Sequence, residues 1–124
     1  MAVCLSVKQP WAWAIMQGLK DVENRTWFTN YRGPLAIHAG KSFDREALAF
    51  IKNSGVDVPD DGDLVFGAVI GFVDIVDCRK GVRSRWAMRQ HWHWVLSSPR
   101  PIDPVPLRGR LGLFNVDDEL LRTV

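Results

Sequence analysis

The sequence predicts an α+β fold, a curled and mostly antiparallel sheet with two to three helices inserted between its strands. Three observations point to it. Short apolar segments bounded by glycine, proline and polar clusters alternate with stretches of helical spacing. The longest apolar segment, residues 64–76, carries Gly67 and Gly71 inside it, where glycine permits a bulge or the sharp bend of a small barrel. A chain of 124 residues, 47% apolar and 24% charged, suits one globular core rather than a disordered or disulfide-stapled chain.

The elements follow in order. Residues 2–7 read as a short strand. Pro10 suits a helix start, where its missing N–H costs nothing. The helix over 11–17 stops at Gly18, a left-handed cap residue. Residues 22–28 have strand character, Arg32-Gly33-Pro34 is a turn, and 35–39 is a strand. Ser42 is placed to cap a helix over 43–53, with Asp44 and Glu46 in its first turn and Phe43, Ala47, Phe50 and Ile51 at helical spacing. Residues 54–63 are a polar loop, and the long strand 64–76 follows. Residues 82–90 read as a short helix carrying Arg83, Arg85 and Arg89. Residues 92–96 form a strand, 97–110 a Pro/Arg loop and 111–116 the last strand, with a short helix from Asp117. No repeat, linker or composition break divides the chain, so 1–124 is read as a single domain.

The unusual entry in the composition is six Trp against one Tyr. Trp is costly to expose and often carries a binding surface. Trp27 and Trp94, in expected strands, are assigned to the core. Trp11 and Trp13 lie about 200° apart on a helix, so they do not both face inward. Trp86 and Trp92 flank an Arg-rich stretch. The net charge is only +2, but residues 79–110 hold eight bases, seven of them Arg, and one acid. Arg suits phosphate because its planar fork donates two parallel hydrogen bonds. The same stretch could equally be a solvated face.

Cys4 and Cys78 sit in apolar segments with no ligand pair nearby, and are expected to be free, buried thiols of a reducing compartment. The run 64–73 is too short to span a membrane, and no basic-then-apolar leader opens the chain, so a cytoplasmic protein is expected. Several motifs fail. Gly40-Lys41-Ser42 looks like the end of a phosphate loop, but Leu35 stands where the first glycine is required. A lysine and a serine at a helix start could still hold an anion more simply. His91 and His93 share a strand face without a third ligand, so no metal and no cofactor is expected. No Gly-x-Ser-x-Gly elbow supports Ser/His/Asp catalysis.

One constellation succeeds. In Gly18-Leu19-Lys20-Asp21-Val22-Glu23-Asn24-Arg25, the glycine ends the helix, Lys20 falls in the turn, and Glu23 and Arg25 share one strand face. A lysine, a glutamate and an arginine converge there. On spacing alone this is a surface salt-bridge cluster. The pattern Gly-x-Lys-x-x-Glu-x-Arg, however, resembles the signature of the ASCH family, the activating-signal-cointegrator homology domain. Leu5-Ser6-Val7-Lys8-Gln9-Pro10-Trp11-Ala12 resembles that family's opening strand and helix. Tyr31-Arg32-Gly33-Pro34-Leu35-Ala36-Ile37-His38-Ala39 with Lys41, the long strand from Gly67 to Cys78, and the closing blocks around Trp94 and Gly109-Arg110-Leu111-Gly112 match in order.

The resemblance implies a PUA-like fold, a small mostly antiparallel β-barrel with helices closing a cleft, and places the family's lysine at Lys20. It also implies action on RNA or another nucleic acid. Some members are binding modules of transcription or translation regulators. Others are hydrolases, including an amidohydrolase of acetylated cytidine and a ribonuclease. In the amidohydrolase branch a lysine activates a threonine three residues on, where this chain has Glu23. That branch also uses a glutamate after the long strand, whereas residues 82–90 contain no acid.

The leading expectation is therefore an RNA-binding module for single-stranded or splayed bases. Lys8, Lys20, Arg25, Arg32 and Lys41 would position it, and Gln9 with Trp11 would form a base pocket. The second is a hydrolase of RNA or of a modified nucleoside, with Glu23 as base and Lys20 stabilising an oxyanion. The third is a protein-interaction module.

Overall fold

The computed structural model describes residues 1–121. β1 (Ala2–Gln9) leads through Pro10 into α1 (Trp11–Met16); β2 (Val22–Arg25), β3 (Gly33–Phe43) and α2 (Arg45–Asn53) follow. β4 (Ala68–Arg79), β5 (Trp92–Pro106) and β6 (Leu113–Val116) complete one six-stranded sheet, in the order β2-β5-β4-β3-β1-β6. Every neighbouring pair is antiparallel except β1 with β3. Among the described residues no helix is long and apolar enough to cross a membrane.

The α+β expectation holds, with two α-helices, but the sheet is not closed by backbone pairing into the expected barrel. β2 and β6 are the two ends of the sheet, and neither pairs with the other among the described residues. Both strands are four residues long. β6 covers β1 only from Ala2 to Leu5, so β1 continues past it with a free edge from Ser6 onward. Across that seam the link to β2 is a side chain, not a ladder: the Arg25 guanidinium donates to the Ser6 carbonyl at 2.9 Å.

The core lies between α1 and the sheet, with Leu5, Ile15, Leu35, Ile37, Val73, Ile75 and Trp94 essentially inaccessible. Gly71 makes this packing possible. A Cβ there would collide with the Met16 sulfur and would lie 2.7 Å from the Arg100 carbonyl oxygen. The ladders on both sides of β4 also shift register at this glycine. A smaller cluster of Ala14, Val22, Ile51 and Trp86 fastens α2 to α1.

Other differences from expectation have local causes. α2 begins later than 43, because Ser42 and Phe43 still belong to β3. Its cap is Asp44, whose carboxylate accepts from the Ala47 N–H at 3.0 Å. The prolines of 97–106 do not end β5. β2 pairs it only as far as Val95, so beyond that point one edge of β5 is open and needs no donors.

Residues 82–90 are not a helix. Their backbone is held by side chains of the neighbouring strands instead. Asn24 donates to the Trp86 carbonyl and accepts from the Met88 N–H, both at 2.8 Å. His93 accepts from the Val82 N–H at 3.1 Å and donates to the Met88 carbonyl at 2.6 Å. Those bonds occupy both ring nitrogens of His93. Trp27 lies past the end of β2, although its ring packs edge-on against Trp94 with centroids 4.8 Å apart. The C-terminal helix is a 3₁₀ turn, Asp118–Leu121, and its expected continuation falls outside the described residues. Cys4 and Cys78 are both buried and free.

Candidate functional site

Lys20 follows the left-handed turn at Gly18 (φ +75°), with its backbone N–H held by the Ala14 carbonyl at 3.1 Å. That turn sends the side chain inward, where the residue is only 3% exposed. Its ammonium donates to the Val22 carbonyl and meets Glu23 Oε1 at 3.3 Å, while the Trp11 ring centroid lies 5.2 Å away. Glu23 Oε2 accepts from Arg25 Nε at 2.9 Å, and a second guanidinium nitrogen lies 2.8 Å away. One buried carboxylate thus bridges two cations. Burial pushes the Lys20 pKa below its ordinary 10.5, and the Glu23 charge partly opposes that shift. The surface ion-pair reading of this motif is excluded by its depth.

Above the cluster is a cavity of about 410 Å³ with three aromatic walls. Trp11 and Trp86 stand edge to face with centroids 6.1 Å apart, and Phe50 of α2 lies 6.0 Å from Trp11 and 5.4 Å from Trp86. Arg85 lies over Trp86 at 5.3 Å. The polar lining is Lys20, Glu23, Asn24, the carboxylates of Asp44 and Glu46, and Arg85, so three acids face two cations. These acids disfavour phosphate within the cavity. A flat, uncharged ring with hydrogen-bonding edges suits it, stacking on aromatic faces and pairing with the polar wall.

A second groove, about 680 Å³, runs along the open seam between β1 and β2. It shares Trp11, Glu23, Asn24 and Asp44 with the first. Its wall carries Lys8, Arg25, Lys41 and Arg110, so its character is basic. Lys8 and Lys41 are exposed, whereas Arg25 is already committed to Glu23 and Ser6.

Of the residues expected from sequence, Trp11, Lys20 and Glu23 meet at the aromatic cavity, and Lys8, Arg25 and Lys41 at the groove. Gln9 and Arg32 are not brought to either. Gln9 is 1% exposed, and its amide is consumed by the Val65 carbonyl and the Trp13 N–H, each at 2.9 Å. Arg32 turns back onto the carbonyls of Thr29 and Tyr31. Phe50, Trp86, Asp44 and Arg110 were missed. A signal existed for Asn24, inside the Lys20 motif, but none for Phe50, which reads as one more apolar helix position.

Comparison with known proteins places these observations. The ASCH domain model matches residues 5–106. Activating signal cointegrator 1 of Mus musculus and that of Homo sapiens are each 38% identical over 81 residues, 60% of this chain. The match takes up 14% of the length of each relative, so the chain spans a small part of those proteins. Among solved structures, ASCH from Zymomonas mobilis superposes with a TM-score of 0.61 at 14% identity, covering 97% of this chain and 90% of that one. A point mutant of an ASCH protein from the same organism gives the same score and identity, with 93% of its chain covered. At that identity the likeness concerns the fold.

Proposed function

Because this chain belongs to the ASCH domain family, we propose that it binds nucleic acid, RNA first, with one base splayed into the aromatic cavity and the backbone along the basic groove. The observation that carries this reading is the continuity of two unlike spaces. An aromatic cavity rimmed by carboxylates opens, across shared Trp11 and Glu23, into a groove lined by Lys8, Lys41 and Arg110. A nucleotide has that same division, a flat ring joined to an anion. Lys20 and Glu23 would then read a base edge, and Trp11 and Trp86 would stack on it.

Anisotropy of labelled single-stranded RNA tests it. With Arg25 neutralised by Glu23, three cations remain for phosphates. At about 0.7 per phosphate on single strands, log affinity should fall against log salt with a slope near about −2. Trp11→Ala should weaken binding by about 1–3 kcal/mol, the worth of one stacked base, at an unchanged slope. Salt-independent binding, or none to any RNA or DNA tried, refutes the proposal.

A second reading, hydrolysis of RNA or of a modified nucleoside, is favoured by one observation: a buried lysine of lowered pKa facing a cavity. Against it, Glu23 is held by two cations and is a poor base for water. Product formation that survives Lys20→Ala would eliminate this reading.

A further inference from the structure

We propose that Ser6 and His38 form a second chemical centre, a nucleophile and its base, that hydrolyses anionic carboxylic esters. The parallel pairing of β1 with β3 sets Ser6 directly opposite His38, with Ser6 Oγ 2.9 Å from His38 Nδ1. The other ring nitrogen, Nε2, lies 2.8 Å from the Leu107 carbonyl oxygen. A carbonyl only accepts, so Nε2 carries the hydrogen and Nδ1 presents its lone pair. Ser6 is therefore the donor in the pair, and its proton already points at a base. Leu107 is itself fixed, its N–H bonded to the Gly67 carbonyl at 3.1 Å, so the ring is oriented by rigid backbone. This is the relation of nucleophile, base and orienting group that activates a serine hydroxyl.

The surroundings suit a reaction rather than simple packing. His38 is 2% exposed, and with the partly accessible Ser6 it lines a cavity of about 830 Å³ that adjoins the seam groove, which Ser6 lines as well. Lys41, Arg108 and Arg110 line that cavity, and no carboxylate does, so an anionic substrate is favoured there. Gly109 lies directly over the pair. A Cβ at that position would sit 2.5 Å from Ser6 Oγ and 2.7 Å from His38 Cε1, so any larger residue would occupy the space an attacking Oγ needs. Nothing in this inference requires the nucleic-acid reading.

The step balances without a further reagent. Ser6 Oγ bonds to the acyl carbon as its proton passes to His38 Nδ1. The ester C–O bond breaks, and the leaving alkoxide takes the proton back from Nδ1. Water then attacks the acyl-serine, giving one proton to Nδ1; the acyl C–O bond breaks, Ser6 Oγ takes that proton back, and the carboxylic acid leaves. The sum is ester plus water to acid plus alcohol.

The first test is labelling of the folded chain with a fluorophosphonate, read by intact mass and peptide mapping. One adduct on Ser6 is expected, absent in Ser6→Ala and formed at least about 100-fold more slowly in His38→Gln. Hydrolysis of 4-acetoxybenzenesulfonate should exceed that of the neutral 4-nitrophenyl acetate after each is corrected for its uncatalysed rate. That preference should fall in Arg108→Gln. Gly109→Ala should abolish labelling, because a Cβ there displaces Ser6 Oγ or the His38 ring. If His38→Gln does not fold, Ser6→Ala with an unchanged thermal midpoint carries the comparison. A folded wild-type chain that gains no adduct at Ser6, or ester hydrolysis unchanged in Ser6→Ala, overturns the proposal.

Discussion

Glu23→Gln tests the energetics of the Lys20 cluster most directly. The substitution keeps the size of the side chain and removes the charge that lies 3.3 Å from the Lys20 ammonium and 2.8 Å from Arg25. Arg25 is partly exposed and keeps its bond to the Ser6 carbonyl. Lys20 keeps the Val22 carbonyl, the Trp11 ring and the weak influence of Asp21, and can gain no more than a neutral amide acceptor from the introduced glutamine. Stranding one member of a buried pair costs about 3–5 kcal/mol. Unfolding entropy runs at about 2.1 cal/mol/K per residue, so the thermal midpoint should drop by about 10–20 °C. The loss should depend on pH. Burial lowers the Lys20 pKa and Glu23 raises it, so without Glu23 the pKa falls further below 10.5. The folded state then binds fewer protons than the unfolded state, and stability rises with pH up to about the unfolded value. The deficit relative to wild type should be largest near neutrality and should shrink toward pH 10. Lys20→Met in the Glu23→Gln background should recover most of it, because no buried charge remains. Urea titrations at several pH values supply the measurement. A Glu23→Gln loss below about 1 kcal/mol that is flat from pH 7 to 10 would show that the cluster is solvated and the reasoning wrong.

Three further outcomes are expected. Lys41→Gln, at the seam groove, should reduce the salt slope of RNA binding by about 0.7 without changing the thermal midpoint, as read by anisotropy across a salt series. Gly71→Ala should destabilise by about 1–3 kcal/mol in urea titrations, because its Cβ meets the Arg100 and Pro101 backbone as well as Met16; Met16→Ala should restore only part of that. Burial pushes the Cys4 thiol from 9.0 to about 12, so above pH 9 the unfolded chain releases a proton that the folded chain keeps. The stability advantage of wild type over Cys4→Ala should therefore be constant below pH 9 and shrink by about 1.4 kcal/mol for each pH unit well above it.

What could be read from the sequence depended on how local the cause was. The left-handed turn at Gly18, the shared face of Glu23 and Arg25, and the irregularity at Gly71 of β4 follow from residue type and spacing, and all are present, whereas Gly67 lies in the bend before β4, which starts at Ala68 rather than at 64. The helix expected over 82–90 was lost to Asn24, about sixty residues away in sequence, and to His93 just beyond the segment, whose side chains satisfy its backbone instead. Pro-rich 97–106 looked like loop because the open edge of β5 depends on where β2 stops. Gln9 looked like a base-reading amide beside Trp11, but it is spent on the turn into α1 and on Val65, 56 residues away. Ser6 and His38 were each in plain view, 32 residues apart, and only the parallel register joins them.

The open edge of the sheet and the groove beside it have one cause. A closed sheet would have paired the free stretch of β1 with β2 through backbone, and the groove between them would be filled. Because β6 stops opposite Leu5 and β2 stops at Arg25, that gap is bridged by a guanidinium instead. A side-chain bridge leaves space on both sides of itself. On one side lie Lys20, Trp11 and the aromatic cavity, and on the other lie Ser6, Lys41 and Arg110. Arg25 lines the groove, and through Glu23 it is tied to Lys20 at the aromatic cavity. With its guanidinium committed to Glu23 and the Ser6 carbonyl, it is placed to hold the seam rather than to contact phosphate.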